Sequence, residues 1–148
     1  MTIKYNNVFI EDTYTICGNY ENDGPLSKYF DKRYVKDLYF GEKSWEKAEV
    51  HILKEANKNI LVKNKLKEDD IDLLISGDLQ NQIAASDYMA RDFDIPFMGI
   101  FEACSTMGEA LAIGSTYIEG GFAKKVMVST SSHNMVAEKQ FRNPTEYG

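Results

Sequence analysis

Cysteine and histidine are the scarce residues of this chain: two cysteines, Cys17 and Cys104, and two histidines, His51 and His133, among 148 residues. Two thiols with no CxxC pairing argue against a disulfide framework and point to a reducing compartment. None of these four residues sits at metal-ligand spacing, so no metal centre is expected, and no cofactor. Basic residues are in deficit. Seventeen Lys and Arg stand against 23 Asp and Glu, a net charge of −6 spread along the chain rather than gathered in a tail. That balance argues against general nucleic-acid binding, which needs a basic face. No apolar run approaches the roughly 20 residues of a spanning helix. Residues 1–7 also lack the long apolar core of a signal peptide. Several catalytic signatures are missing too: there is no GxGxxG, HExxH or GxSxG, and Gly121 and Lys124 do not have Walker spacing.

What is present is an ordinary globular composition at one domain's length. Residues 8–16 carry β-branched and aromatic side chains and predict a first strand. Residues 18–41 hold the turn Asp23-Gly24-Pro25 and the aromatics Tyr29, Phe30, Tyr34, Tyr39 and Phe40. They predict an ordered excursion with an aromatic inner face. Ser44 is placed to cap a long amphipathic helix reaching about residue 65, with Trp45, Ala48, Ile52, Ala56 and Ile60 inward and His51 partly exposed. Lys67-Glu68-Asp69-Asp70 reads as a solvated turn. Residues 71–77 predict a buried strand ended by glycine. A helix over 81–93 follows, with Ala84, Tyr88 and Ala90 inward. Then come a strand over 96–103 and a helix over 105–119 with Met107, Ala110, Leu111, Gly114 and Ile118 on one side. Gly120-Gly121 stops that helix before a strand over 126–130. Strand–helix–strand–helix–strand with short connections predicts an α/β fold of βαβ units on a parallel or mixed sheet, with helices on both faces.

In such sheets ligands gather at the carboxyl ends of the strands. Three ends are readable: Ser76 to Asn81, Cys104, and Ser129 to Asn134. Cys104 falls where a strand runs into a helix, and unpaired N–H groups there favour a thiolate. The competing reading is a small buried hydrophobe. His133 is either a base for Cys104 or a turn residue bonded to backbone. Asp78 and Asn81 read first as caps of the following helix, and Cys17 as packing.

The chain also resembles a known family. Asp23-Gly24-Pro25-Leu26, Lys43-Ser44-Trp45-Glu46-Lys47-Ala48-Glu49 and Asp70-Ile71-Asp72-Leu73-Leu74-Ile75-Ser76-Gly77-Asp78-Leu79 resemble segments of the stage V sporulation protein AD family of spore-forming Firmicutes. So do Ala103-Cys104-Ser105-Thr106, Gly120-Gly121-Phe122-Ala123-Lys124-Lys125, Thr130-Ser131-Ser132-His133-Asn134 and the stretch from Gln140 to Gly148. The resemblance implies a thiolase-like fold related to ketoacyl synthases, with Cys104 at the nucleophile position. It implies that residues 1–148 are a single amino-terminal domain and an incomplete first half, the second half being absent. The catalytic histidines of thiolase-like enzymes come from that second half, so His133 is not one of them by position. Glu102, two residues before the cysteine, departs from the small residue that related proteins favour, and a carboxylate there opposes thiolate formation.

The resemblance implies a protein that binds dipicolinic acid, alone or as its calcium chelate, for uptake into the developing spore. Its partners would be other stage V sporulation proteins of the same operon and, at full length, a second copy of itself. It would be cytoplasmic in the sporulating cell, reaching the spore inner membrane through those partners. A flat dicarboxylate needs apolar walls and anion donors. The helix start at Cys104, Ser105 and Thr106 offers such donors, Arg142 offers a bidentate partner, and Asn81, Ser132 and His133 complete the candidate set. The alternatives are an acyl-transferring enzyme that uses Cys104 as its nucleophile, and a fragment serving only in assembly.

Overall fold

The computed structural model of the chain describes residues 2–142. Among them lie five short to medium strands and five α-helices. These are β1 (Ile16–Cys17), α1 (Asn19–Asn22), β2 (Lys32–Arg33), α2 (Trp45–Lys63), β3 (Leu73–Gly77), α3 (Ala84–Ala90), β4 (Phe97–Gly99), α4 (Thr106–Glu119), β5 (Val126–Thr130) and α5 (Asn134–Arg142). The fold is α/β. Every described strand pairing is parallel: β1 with β2, and a three-stranded sheet in the order β4-β3-β5.

β3 is the axis of this arrangement, and all five of its residues are buried. Side chains alternate across a strand, so Leu74 faces one way and Leu73 and Ile75 the other. Leu74 packs with Leu53 and Leu61 of α2, Met89 of α3 and Met127 of β5. Leu73 and Ile75 pack with Ile100 and with Ala110 of α4, flanked by Ile113, Tyr117, Val126 and Val128. Helices therefore cover both faces of the sheet, as the βαβ pattern predicts.

Several expected elements are shorter or differently phased. The strand over 8–16 is not formed. Only Ile16 joins a strand, and Phe9 and Ile10 are exposed. This segment is instead strapped across helices by polar contacts: the Tyr5 hydroxyl to Ala112 O, Asn6 to Glu119, Glu11 to Lys125 and Asp12 to Lys63. The helix expected over 81–93 is only α3, because Gln82 and Ile83 take left-handed conformations (φ +57° and +47°) that no helix continues through. Its buried residues are Ala85, Ser86 and Met89, whereas Tyr88 points out. The strand over 96–103 shrinks to β4, since Ala103 (φ +46°) turns the chain before the helix.

Ser44 does cap α2, its hydroxyl accepting from the Lys47 N–H. The buried row is Ala48, Glu49, Leu53, Asn57 and Leu61, one residue later than the phase expected from Ile52, Ala56 and Ile60. Those three lie half-buried on the flank. On α4 the inward residues are Thr106, Ala110 and Gly114, while Met107 and Leu111 point outward. The excursion over 18–41 is ordered. Its inner aromatic contact is Tyr34 on Phe40, with ring centroids 4.6 Å apart, but Tyr20 and Tyr29 face out.

Gly77 at the end of β3 admits no side chain. A Cβ there would collide with the Ile100 carbonyl oxygen and lie 2.7 Å from Thr106 Cγ2. Gly108, in the first turn of α4, has open space where a Cβ would project, and its φ is not left-handed. Gly77→Ala should therefore lower stability by about 1–3 kcal/mol through overpacking. Gly108→Ala should raise it by about 0.5–1 kcal/mol through helix propensity. Urea unfolding midpoints of the two variants should move in opposite directions.

Candidate functional site

Parallel register brings the three carboxyl ends side by side. Ser76 lies opposite Gly99 on one neighbour and Ser129 on the other, and Gly77 lies opposite Thr130. The Thr130 hydroxyl donates to Gly77 O at 2.9 Å, pinning β5 to β3 at this edge.

Past β4 the chain enters a tight turn, Ala103–Ser105, and Cys104 sits exposed upon it. Thr106 is buried and holds the turn shut. Its hydroxyl donates to Ala103 O at 2.9 Å and accepts from the Glu102 N–H at 3.3 Å. Ser105 donates to Glu102 O at 2.8 Å and lies 3.3 Å from the Glu102 carboxylate. No side chain caps the start of α4. The thiol therefore lies in the open beside the first turn of a 14-residue helix, the place where backbone N–H groups and the helix dipole favour an anion.

Behind this edge lies a buried polar layer. Glu49 of α2 is 1% exposed. One of its carboxylate oxygens accepts from Gln80 Nε2 at 3.0 Å and the other from the Ser131 hydroxyl at 2.9 Å. Burial pushes this carboxyl above its ordinary value of 4.5; the bonds from Gln80 and Ser131 act against that, and the nearby Asp78 adds to it. Asp78 accepts from the Gln80 N–H at 2.8 Å and the Ser86 N–H at 2.7 Å, so it caps α3 from across the turn. Two turns along α2 from Glu49, Asn57 donates to the Ser129 hydroxyl at 3.2 Å. Ser129 in turn bonds Ser76, and Ser76 contacts Ser86.

The candidate residues fall into separate places. Cys104, Ser105 and Thr106 share one turn, but the Thr106 hydroxyl is committed to backbone. His133 is buried with both nitrogens engaged: Nε2 donates to Leu38 O at 2.7 Å, and Nδ1 accepts from the Met135 N–H at 3.2 Å. Its ring meets Phe40 edge-on, which fits the turn-residue reading. Ser132 is exposed on the same loop. Asn81 is exposed, and its N–H donates to the Gln140 side chain at 2.9 Å, bracing the loop against α5; its own side chain caps no helix. Arg142 is exposed at the end of α5 and pairs with Glu138 at 2.6 Å. His51 is held by Glu42 and Tyr34. Cys17 is buried, and burial pushes its thiol up. Residues 143–148 of the last family-like segment lie outside the described residues.

Glu49 and Asn57 are absent from the candidates that the sequence suggests, and Gln80 is covered there only as part of the strand end 76–81. A signal for the first two is there: Glu49, Leu53, Asn57 and Leu61 recur every four residues, so two polar groups share a row with two leucines.

Comparison with known proteins finds that the family model described as Stage V sporulation protein AD matches residues 1–148. Stage V sporulation protein AD of Bacillus subtilis (strain 168) is 48% identical over 141 residues, covering 95% of this chain and 41% of that protein. The chain thus spans less than half the length of that relative.

The raised Glu49 carboxyl has a pH signature. A carboxyl raised in the folded state contributes stability fully below its ordinary value and loses it as pH rises through the raised value. Glu49→Gln can keep both hydrogen bonds, donating to Ser131 and accepting from Gln80, without that loss. Its stability relative to the parent should improve as pH rises above about 4.5 and level off once the raised value is passed. Urea midpoints measured from below the ordinary carboxyl value to neutral pH test this, and a difference that stays flat throughout would contradict it.

Proposed function

We propose, from the premise that this chain belongs to the Stage V sporulation protein AD family, that it contributes to recognition of dipicolinic acid during spore formation, and that it does so without covalent chemistry. Family membership supports the sporulation role. The ligand is the finer reading. The observation that carries it is the open turn at Cys104, an exposed thiol next to an uncapped helix start. Backbone N–H groups there suit a carboxylate. Phe101, Met107 and Leu111 are exposed beside the turn or along the outer side of α4 and provide apolar surface for a flat ring. In this reading Cys104 forms part of the floor of a cleft. The remainder of a full-length protein, a second copy and other proteins of the operon would supply the rest of the machinery and its link to the spore inner membrane.

For these residues by themselves recognition is favoured over acyl transfer, because both of their imidazoles are committed and the histidines of thiolase-like enzymes come from the other half. His133 bonds backbone on both nitrogens, and His51 lies between Glu42 and Tyr34. A cysteine nucleophile needs a base and an oxyanion site, and neither histidine here is free to act as that base.

Calorimetric titration of dipicolinate, with and without calcium, should be run on this chain, on a chain of the relative's full length, and on the Cys104→Ala variant of each. Binding heat from the long chain that survives the substitution is the expected result. Stable labelling of Cys104 by an acyl thioester, with binding lost in Cys104→Ala, would establish acyl transfer instead.

A further inference from the structure

We propose that the loop after β3, residues 79–83, is a pH-dependent flap over the Glu49 side chain, closed in acid and lifting toward neutral pH. This does not depend on what the carboxyl edge of the sheet binds. The flap is tied to Glu49 directly: Gln80 Nε2 donates to one carboxyl oxygen, while the Ser131 hydroxyl, from the loop after β5, donates to the other. Gln80 is itself buried, so the flap and the Ser131 loop close over both oxygens from opposite sides.

The charges around this carboxyl do not favour its ionised form. Asp78, also 1% exposed, accepts from the Gln80 N–H, so the main chain of Gln80 is held by one carboxyl and its side chain by the other. His133, the imidazole nearest the layer, donates from Nε2 to Leu38 O and accepts on Nδ1 from the Met135 N–H, the pattern of a neutral ring. Along α2, Glu46 pairs with Lys139 of α5, Lys47 is exposed, and His51 is held by Glu42 and Tyr34. Asp87 and Arg91 of α3 are exposed, and Glu138 of α5 pairs with Arg142. No cation therefore pairs with Glu49 among the described residues. An ionised Glu49 would keep both hydrogen bonds and strengthen them, but burial outweighs this and holds the carboxyl above its ordinary value of 4.5. With the flap raised, water reaches the carboxyl and returns it toward that ordinary value. The closed form is thus favoured most below about 4.5 and loses that advantage as pH rises through the raised value.

The flap also carries strain that opposes closure. Gln82 and Ile83 stand in succession at φ +57° and +47°, a left-handed pair that a β-branched residue in particular resists. Three ties hold the loop down against it. Gln80 bonds Glu49, the Asn81 N–H donates to the Gln140 side chain of α5, and Ile83 fills the space above Gly99. That last fit is close: a Cβ on Gly99 would collide with Ile83 Cδ1. Hydration of an ionised Glu49 releases the first tie and lets the left-handed pair relax. Gly99 ends β4 and leads through Ile100 into the Cys104 turn, so lifting Ile83 frees the strand end beside that turn.

The test is amide hydrogen exchange followed by NMR on the whole chain from about pH 4 to about pH 8, with rates corrected for the intrinsic pH dependence of exchange. The hydrogen-bonded amides of Gln80, Asn81 and Ile83 should lose protection by at least about fivefold across this range, while Leu74 and Ile75 of β3 stay within about twofold. In Glu49→Gln, which carries no titrating charge at this position, the flap amides should also stay within about twofold. In the parent, the side-chain carboxyl signal of carbon-13-labelled Glu49 should titrate with the same midpoint as flap protection, a measurement that stands even if the variant does not fold. The proposal is overturned if flap protection is flat with pH, if Glu49→Gln shows the same fall, or if Glu49 and the flap respond at different pH. It is also overturned if Leu74 and Ile75 lose protection in parallel, which would make the change a loosening of the whole fold.

Discussion

The fold turns on how closely three pieces of chain can pass at the end of β3. Gly77 lies under both the Ile100 carbonyl and the Thr106 methyl, at distances where a Cβ would collide with backbone. Because β3 ends bare, the chain leaving β4 can cross over it and α4 can begin directly beside the strand end. That closeness lets Thr106 reach back to close the Ala103–Ser105 turn. It also puts Cys104 at the carboxyl edge of the sheet rather than a turn away from it. A bulkier residue at 77 would separate α4 from the sheet and loosen the packing of Ala110 against Ile75 on the same face. The position of the thiol is therefore a consequence of the close packing at Gly77, not of any property of cysteine.

The opposite face is governed by a polar layer. Burying a carboxylate is costly unless its oxygens are bonded, and both oxygens of Glu49 are. The two donors come from different loops, Gln80 after β3 and Ser131 after β5, so one side chain of α2 sets the separation of both. Asn57 repeats the device deeper in the sheet through Ser129 and Ser76. His133 extends it outward by bonding Leu38 and packing on Phe40, which fastens the excursion before α2 to the loop after β5. Three buried polar groups thus hold the loops of the carboxyl edge in fixed relation. Their value lies in geometry more than in net stability, since each bond mostly offsets the desolvation of its own partners.

The fold class is legible in the sequence because its signals are local and strong. β3 and β5 are short apolar runs bounded by glycine or polar residues, α2 carries a capping serine, and α4 ends at Gly120-Gly121. The departures share a cause: each depends on contacts from distant segments. The phase of α2 differs by one residue because apolar spacing follows Ile52, Ala56 and Ile60, while the row actually buried includes Glu49 and Asn57, whose partners lie about 30 and 70 residues away. α3 starts late because Gln82 and Ile83 adopt backbone conformations that their residue types disfavour. Residues 8–15 have strand composition, but among the described residues no strand lies beside them, and composition cannot show whether a neighbour is there. At the site, the position of Cys104 between strand and helix is readable from sequence, whereas the roles of Thr106 and His133 become clear only with their hydrogen-bond partners.

A chain of net charge −6 that is proposed to recognise anions must do so against its own average field. Two features make this physically reasonable. Screening at physiological ionic strength limits exposed charges to an effective range of about 8 Å, so a ligand in contact responds to the groups lining its site rather than to the whole surface. Several of the acidic groups are also engaged. Asp12, Glu46, Glu55 and Asp92 are each held below the usual carboxylate range, first or mainly by bonds to lysines, although for Glu55 burial is the largest single influence and opposes that direction. Asp72 and Glu119 are held down by backbone N–H groups instead. At the Cys104 turn the Ser105 N–H already donates to Glu102 O and the Thr106 N–H to Ala103 O, which leaves the N–H groups of Ala103 and Cys104 without an acceptor among the described residues. That pair suits a small carboxylate, which needs converging donors and little area.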